Sequence, residues 1–188
     1  MEFKEKDPIL VPTEVEAFHV VFTTHNSRTS ARMKKYRVVK GSPFLLTLEQ
    51  EIVLTQIIGE IIIEKGYKCI AYNVCKDHMH LMMVCKGAEL VDIGKTLKGK
   101  SSFLLGQRGY KEKGKSLWSQ KFYRAFVDVW ELIGYTDEPG YKYESTHLST
   151  SLRYIKNNRI KHNLPQSDEL EQIIKNFLCT PEVAFGID

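Results

Sequence analysis

The stretch KCIAYNVCKDHMHLMMVC, residues 68–85, decides the fold. Its β-branched and apolar residues fall into two runs, 68–75 and 79–85, joined around Lys76–Asp77, which predicts a β-hairpin. Upstream, TLEQEIVLTQIIGEIIIEK at 47–65 predicts a helix. Thr47 and Gln50 are spaced as a capping box, and Leu54, Ile57, Ile58, Ile61 and Ile62 form an apolar stripe. Gly66 suits the position just past its end. AFHVVFTT at 17–24 predicts a first strand, and the basic stretch 25–43 a loop or irregular arm. Downstream, a helix is expected over about 88–105, interrupted by Gly94 and Gly99, and then a Gly/Lys-rich loop at 106–116. LWSQKFYRAFVDVW at 117–130 predicts a long strand, and 131–144 a loop. Helices near 145–162 and 167–178 complete the chain. This order fits one α+β domain over 1–188, with helices mainly on one face of an antiparallel sheet.

The chain has 188 residues, of which 43% are apolar, enough for one ordinary core and too many for a disordered or low-complexity protein. No run of eighteen apolar residues is present, so no membrane partner is expected. The first ten residues, MEFKEKDPIL, lack the apolar region of a secretory signal, so a cytoplasmic protein is expected, nucleoid-associated if its partner is DNA. The four cysteines read as free thiols.

The net charge of +4 conceals a strong asymmetry. Segments 28–40, 95–115 and 153–162 hold seventeen basic residues against one acid, Glu112, a net of +16 over 44 residues. The other 144 residues carry 10 basic and 22 acidic groups, a net of −12. Each run alone could be a solvated face. Gathered on one side, the three would make a groove suited to a phosphate backbone.

Chemistry concentrates in DHMHLMMV, residues 77–84. Alternate side chains of a strand share a face, so His78 and His80 project together, a pairing able to grip one divalent metal or to make ordinary hydrogen bonds. On the predicted helix 145–162, Tyr154 and Asn158 lie one turn apart. His147 and Lys161 stand seven residues to either side of Tyr154, on the same flank. Leu148, Leu152 and Ile155 form a different stripe, the one expected to face the core.

His-hydrophobic-His on a strand, followed well downstream by Tyr-Ile-x-x-Asn on a helix, resembles the single-tyrosine transposases of the HUH-endonuclease superfamily, the REP-associated tyrosine transposases in particular. The resemblance runs from about Phe18 to Asn163 through FHVVFTT, DHMHLMMV, the basic helix with Lys95, Lys98 and Lys100, LWSQKFYRAF and RYIKNNRIKHN. It implies a ferredoxin-like α+β sheet over a core of about 17–163, with 164–188 as a C-terminal tail helix. It implies that His78, His80 and Asn158 bind Mg²⁺ or Mn²⁺ and that Tyr154 is the nucleophile. The partner is then single-stranded or hairpin DNA, held by Arg28, Arg32, Lys34, Lys35, Lys95, Lys98, Lys100, Arg153 and Lys161. A homodimer is left open, because the wider group includes dimers that exchange the tyrosine helix. The chain departs from the family at Asn158-Arg159, where Asn-Pro is usual, and at Cys75-Lys76, where Met-Pro is frequent. A glycine common after the Asn-Pro segment is also absent, with Asn163 standing nearby.

The residue types suit the chemistry. A phosphodiester anion resists attack until a divalent ion neutralises its oxygens. A phenol can attack as phenolate and leave again, conserving the bond for rejoining. Tyr110, Trp118 and Phe122 are candidate base-stacking residues, although Trp118 and Phe122 also suit the core. Three other readings stand beside this one. They are a non-catalytic nucleic-acid-binding module descended from a transposase, a relaxase or replication initiator of the same superfamily, and a structural zinc site from Cys69, Cys75, His78 and His80. The two cysteines lack the usual zinc spacing.

Overall fold

Residues 68–85 form the expected hairpin in a computed structural model that describes residues 14–29, 31–129 and 147–186, the side chain of Arg32 excepted. Strands β2 (Lys68–Cys75) and β3 (His78–Cys85) pair antiparallel, with Cys75 opposite His78. Neighbouring segments fasten the turn. Leu46 N–H donates to Lys76 O and Thr24 N–H to Asp77 O. Strand β1 (Glu16–Thr23) pairs with the free side of β3, and β4 (Tyr123–Val127) with the outer side of β1, both antiparallel.

The resulting order, β2-β3-β1-β4, places β3 between the two strands that α2 (Leu48–Lys65) connects. This is the split βαβ arrangement of a ferredoxin-like α+β fold. Short α1 (Ala31–Lys35) interrupts the basic arm before α2, and α3 (Leu90–Gln107) runs between β3 and β4. No helix among the described residues is long and apolar enough to cross a membrane.

Helix α2 is built as its sequence predicts. Thr47 Oγ1 accepts from Gln50 N–H and Gln50 Oε1 accepts from Thr47 N–H, so two otherwise orphaned donors are satisfied. Gly66 closes the helix in the left-handed region at φ 64°, which glycine adopts without a Cβ penalty. Leu54, Ile57, Ile58, Ile61 and Ile62 are all buried, against Val20, Phe22, Met79, Leu81 and Met83 of the sheet.

The opposite face of the sheet is covered as well. Ala17, Met82, Val84 and Val127 pack there with Leu148 and Ile155 of α4 (His147–Lys156) and with Ala184 and Phe185 of α7 (Pro181–Phe185). β3 is therefore buried along its whole length, consistent with a nearly unbroken apolar run.

The predicted strand 117–130 is shortened to five residues, Trp130 lying outside the described residues. Trp118 meets Thr24 in an isolated bridge and donates its indole N–H to Ser101 Oγ at 2.9 Å. The Lys98 ammonium takes the carbonyls of Ser119 and Gln120, drawing this segment out of the ladder toward α3. Phe122 then lies on Gly94, where a Cβ would come within 2.7 Å of its ring. Gly94 thus admits an aromatic ring as well as weakening a helix. Loop 131–144 and the predicted helix start at 145–146 lie outside the described residues.

The predicted helix 145–162 divides at Asn157 into α4 and α5 (Asn158–Lys161). Asn163 follows in the left-handed region at φ 53°, a conformation Asn adopts more readily than most non-glycine residues. Helix α6 (Asp168–Lys175) packs on α2 with Leu170 buried, so the tail covers its own chain. Helix α7 lies beyond the predicted elements, although Thr180, Pro181 and Gly186 are its start and stop signals.

Phe177, just beyond α6, occupies the space beside Gly59, where a Cβ would lie 2.1 Å from its ring. Gly59→Ala is expected to cost about 1–3 kcal/mol despite alanine's better helix propensity. Urea unfolding measures it, and the same change in a Phe177→Ala background should be neutral or stabilising.

Candidate metal and tyrosine site

The alternation of β3 sends Met79, Leu81 and Met83 toward α2 and α3, and His78 and His80 to the other face. β1 brings a third imidazole there. His19 Nε2 lies 2.9 Å from His80 Nδ1, and the rings are 5.0 Å apart. Tyr154 of α4 sets its ring 5.3 Å from His80 and 5.9 Å from His19, edge-on to both. His162, just past α5, stands 4.8 Å from His78.

His78 is held at both ring nitrogens. Nδ1 donates to Asp77 Oδ1 at 2.6 Å, and Asp77 also pairs with Arg28 at 3.3 Å. Nε2 lies 2.7 Å from Asn158 Oδ1, which also accepts from the Cys75 thiol at 3.4 Å. Asn158 is fully buried, and its Nδ2 is the one buried side-chain nitrogen or oxygen without a partner among the described residues. When a neutral His78 gives its Nδ1 hydrogen to Asp77, Nε2 and Oδ1 face each other as two lone pairs. A cation between them removes the conflict, as does rotation of the amide that turns Nδ2 toward the imidazole.

The electrostatics favour neutral imidazoles. Burial, reinforced by the neighbouring imidazoles and Lys161, drives His80 down to about 3. Burial and the charge of His147 lower His19 in the same direction. A neutral pair shares one hydrogen, and when His80 donates it from Nδ1 to His19 its Nε2 lone pair is free for a ligand. The hydrogen bond to His78 holds the Asp77 carboxyl below its usual range, with Arg28 adding to the effect.

Among the described residues, no three His, Cys, Asp or Glu side chains converge on a metal position. Burial pushes the Cys75 thiol up to about 12, and Cys69 packs with the core on the other face of the sheet, which separates the cysteines of the zinc reading. Two imidazole nitrogens and the Asn158 carbonyl oxygen remain as a neutral nitrogen and oxygen donor set of a kind that can hold a divalent cation.

The family described as IS200-like transposase matches residues 17–132, more than half of the chain. The chain belongs to the IS200-like transposase family. The matched region holds His78 and His80 and stops before Tyr154 and Asn158. No curated protein matches the chain. Among solved structures, the transposase is similar to a REP-associated tyrosine transposase bound to a REP hairpin. The TM-score is 0.48 and the identity 14%, over 88% of this chain and 76% of that one. It is also similar to a protein assigned as a transposase in Deinococcus radiodurans R1, with TM-score 0.45 and 21% identity over 68% and 87%.

The basic residues expected to hold a partner are differently disposed in this transposase. Arg28 reaches the site through Asp77, and Lys161 lies over the Tyr154 ring with Nζ 3.4 Å from the hydroxyl. Lys34, Lys35 and Arg153 are exposed, and Lys95 pairs with Asp92 at the surface. Lys98 is engaged by the two loop carbonyls and Lys100 by Glu64. Arg32 lies on α1, its side chain outside what the structure describes. Tyr110 donates its hydroxyl hydrogen to Glu49, and Trp118 and Phe122 belong to the core.

Sequence reasoning did not single out His19, Asn73 or Glu51, gave Asp77 no role of its own, and weighed Cys75 only as a zinc ligand. His19 had a signal, an imidazole sharing one strand face with Ala17 and Val21. Asp77 acts on the adjacent His78, whereas Asn73, Glu51 and Cys75 act through contacts between elements distant in the chain.

Proposed function

We propose that this protein is a metal-dependent, single-tyrosine transposase that cleaves and rejoins single-stranded or hairpin DNA through a 5′-phosphotyrosine. The observation that carries the reading is the close grouping of His78, His80, Asn158 and Tyr154 within one chain, with a 2.7 Å contact between His78 and Asn158 and 5.3 Å between the rings of Tyr154 and His80.

Tyr154 supplies the attacking oxygen. Its bond to phosphorus forms as the bond from phosphorus to the 3′ oxygen breaks. The phenol proton passes to water, and the departing 3′ oxygen takes up a proton. The 5′ phosphate stays on Tyr154 until a 3′ hydroxyl reverses the step. His78, His80 and Asn158 would hold Mg²⁺ or Mn²⁺, which when bound would supply charge neutralisation at the phosphate oxygens. Lys161, beside the tyrosine hydroxyl, favours the negative charge that develops there. Asp77 and His19 fix the two imidazoles with Nε2 available. Arg28, Lys34, Lys35 and Arg153 offer exposed positive charge to the DNA backbone. The contact of Tyr154 with His80 of the same chain supports a nucleophile acting in cis.

The test is incubation with hairpin oligonucleotides carrying single-stranded flanks, followed by denaturing gel electrophoresis. A covalent protein–DNA band with Mn²⁺ that vanishes with EDTA is expected. Binding unaffected by EDTA, with no cleavage of any hairpin, would support the non-catalytic module instead.

A further inference from the structure

Residue 159, immediately after Asn158, is an arginine buried to 5% exposure. Its Nη1 donates to Glu51 Oε2 at 2.6 Å and to Val74 O at 3.1 Å, while Nε and Nη2 donate to Pro165 O at 2.9 and 2.7 Å. One guanidinium thus joins the first turn of α2, the end of β2 and the chain leaving α5. On the near side of the helix break, Asn73 Nδ2 donates to the carbonyls of Ile155 and Lys156, the last residues of α4. The break that separates Tyr154 from Asn158 is therefore tied to β2 at both ends.

We propose that the buried Glu51–Arg159 pair is a positioning latch that seats Asn158 against His78. The inference deepens the metal-site reading and rests on it for its link to activity. Burial costs both charges, and a well-packed apolar pair would often hold the same elements together equally well. An apolar pair lacks direction, however. The guanidinium fork fixes its own backbone relative to a carboxylate and two carbonyls at once, and that backbone carries Asn158. Asn158 has no freedom to compensate, since it is fully buried with Oδ1 already committed to His78 and Cys75. A small shift of α5 consequently alters the His78–Asn158 contact directly.

The test compares the wild-type chain with Glu51→Leu/Arg159→Met and with Arg159→Lys, the latter keeping the charge but not the fork. Four readouts are taken: melting temperature, ¹⁵N signals of the His78 imidazole without metal, Mn²⁺ affinity by calorimetry, and kcat and KM on a hairpin. Both variants are expected to shift the His78 signals and weaken Mn²⁺ binding by about 10–100-fold, the size seen when groups supporting metal ligands are lost. The double variant should melt close to wild type, and kcat on a hairpin should fall more than KM rises. Wild-type His78 signals and Mn²⁺ affinity in a folded variant would overturn the latch. Absence of Mn²⁺ binding by the wild type would overturn the metal reading instead, while the metal-free His78 signals still decide the latch. Should the double variant not fold, the His78 signals and Mn²⁺ affinity of Arg159→Lys decide the latch by the same two outcomes.

Discussion

A chain carrying Tyr154→Phe forms no covalent adduct with hairpin DNA in the presence of Mn²⁺, and strand cleavage falls by roughly three orders of magnitude or more, since no other group replaces the attacking oxygen. The expectation is sharp because the change removes one atom and little packing. The ring is half-buried against His19 and His80, with the Lys161 ammonium 4.4 Å from its centre, contacts that phenylalanine retains. Only the long contact from Lys161 Nζ to the hydroxyl is lost. The melting temperature and the affinity for uncleaved hairpin should stay near wild type. An adduct that persists in Tyr154→Phe would remove Tyr154 from the nucleophile's role.

The metal-free protein loses stability as the pH falls below the ordinary imidazole range. The unfolded chain protonates residue 80 near the ordinary 6.5, whereas the folded chain resists until about 3. Between these values the unfolded state binds more protons, so the contribution of His80 is full above pH 6.5 and declines on acidification. One proton corresponds to about 1.4 kcal/mol per pH unit, levelling off below about pH 3. His19, also depressed, acts in the same sense. Asp77, held low by His78, adds a loss at more acidic pH as it protonates. Urea midpoints of EDTA-treated protein between about pH 7.5 and 4.5 measure the slope. His80→Gln should flatten it by nearly one proton, and equal slopes in the two proteins would show that His80 is not held neutral by folding.

Much of the architecture is legible in the sequence because it rests on local periodicity. The Thr47–Gln50 box, the isoleucine stripe and Gly66 bound α2 within a residue of expectation, and the hairpin at 68–85 follows from two apolar runs and a short turn. The strand predicted at 117–130 comes out short because its pattern cannot register a lysine from α3 capturing its carbonyls. The helix predicted at 145–162 is broken because the groups that stabilise the break, Asn73 and Glu51, lie some eighty and more than one hundred residues earlier.

The candidate site divides along the same line. The hairpin sequence by itself determined that His78 and His80 share a strand face, since alternation is a property of the backbone alone. Spacing likewise set Tyr154 and Asn158 apart from the Leu148, Leu152 and Ile155 stripe. Only the tertiary structure decided that the two pairs meet, that His19 joins them, and that Asn158 is sealed from solvent. Those outcomes depend on the order of the strands and on a helix docked by directional bonds from β2 and α2. A side chain's neighbours across a sheet are set by register and packing, which no local stretch of the chain encodes.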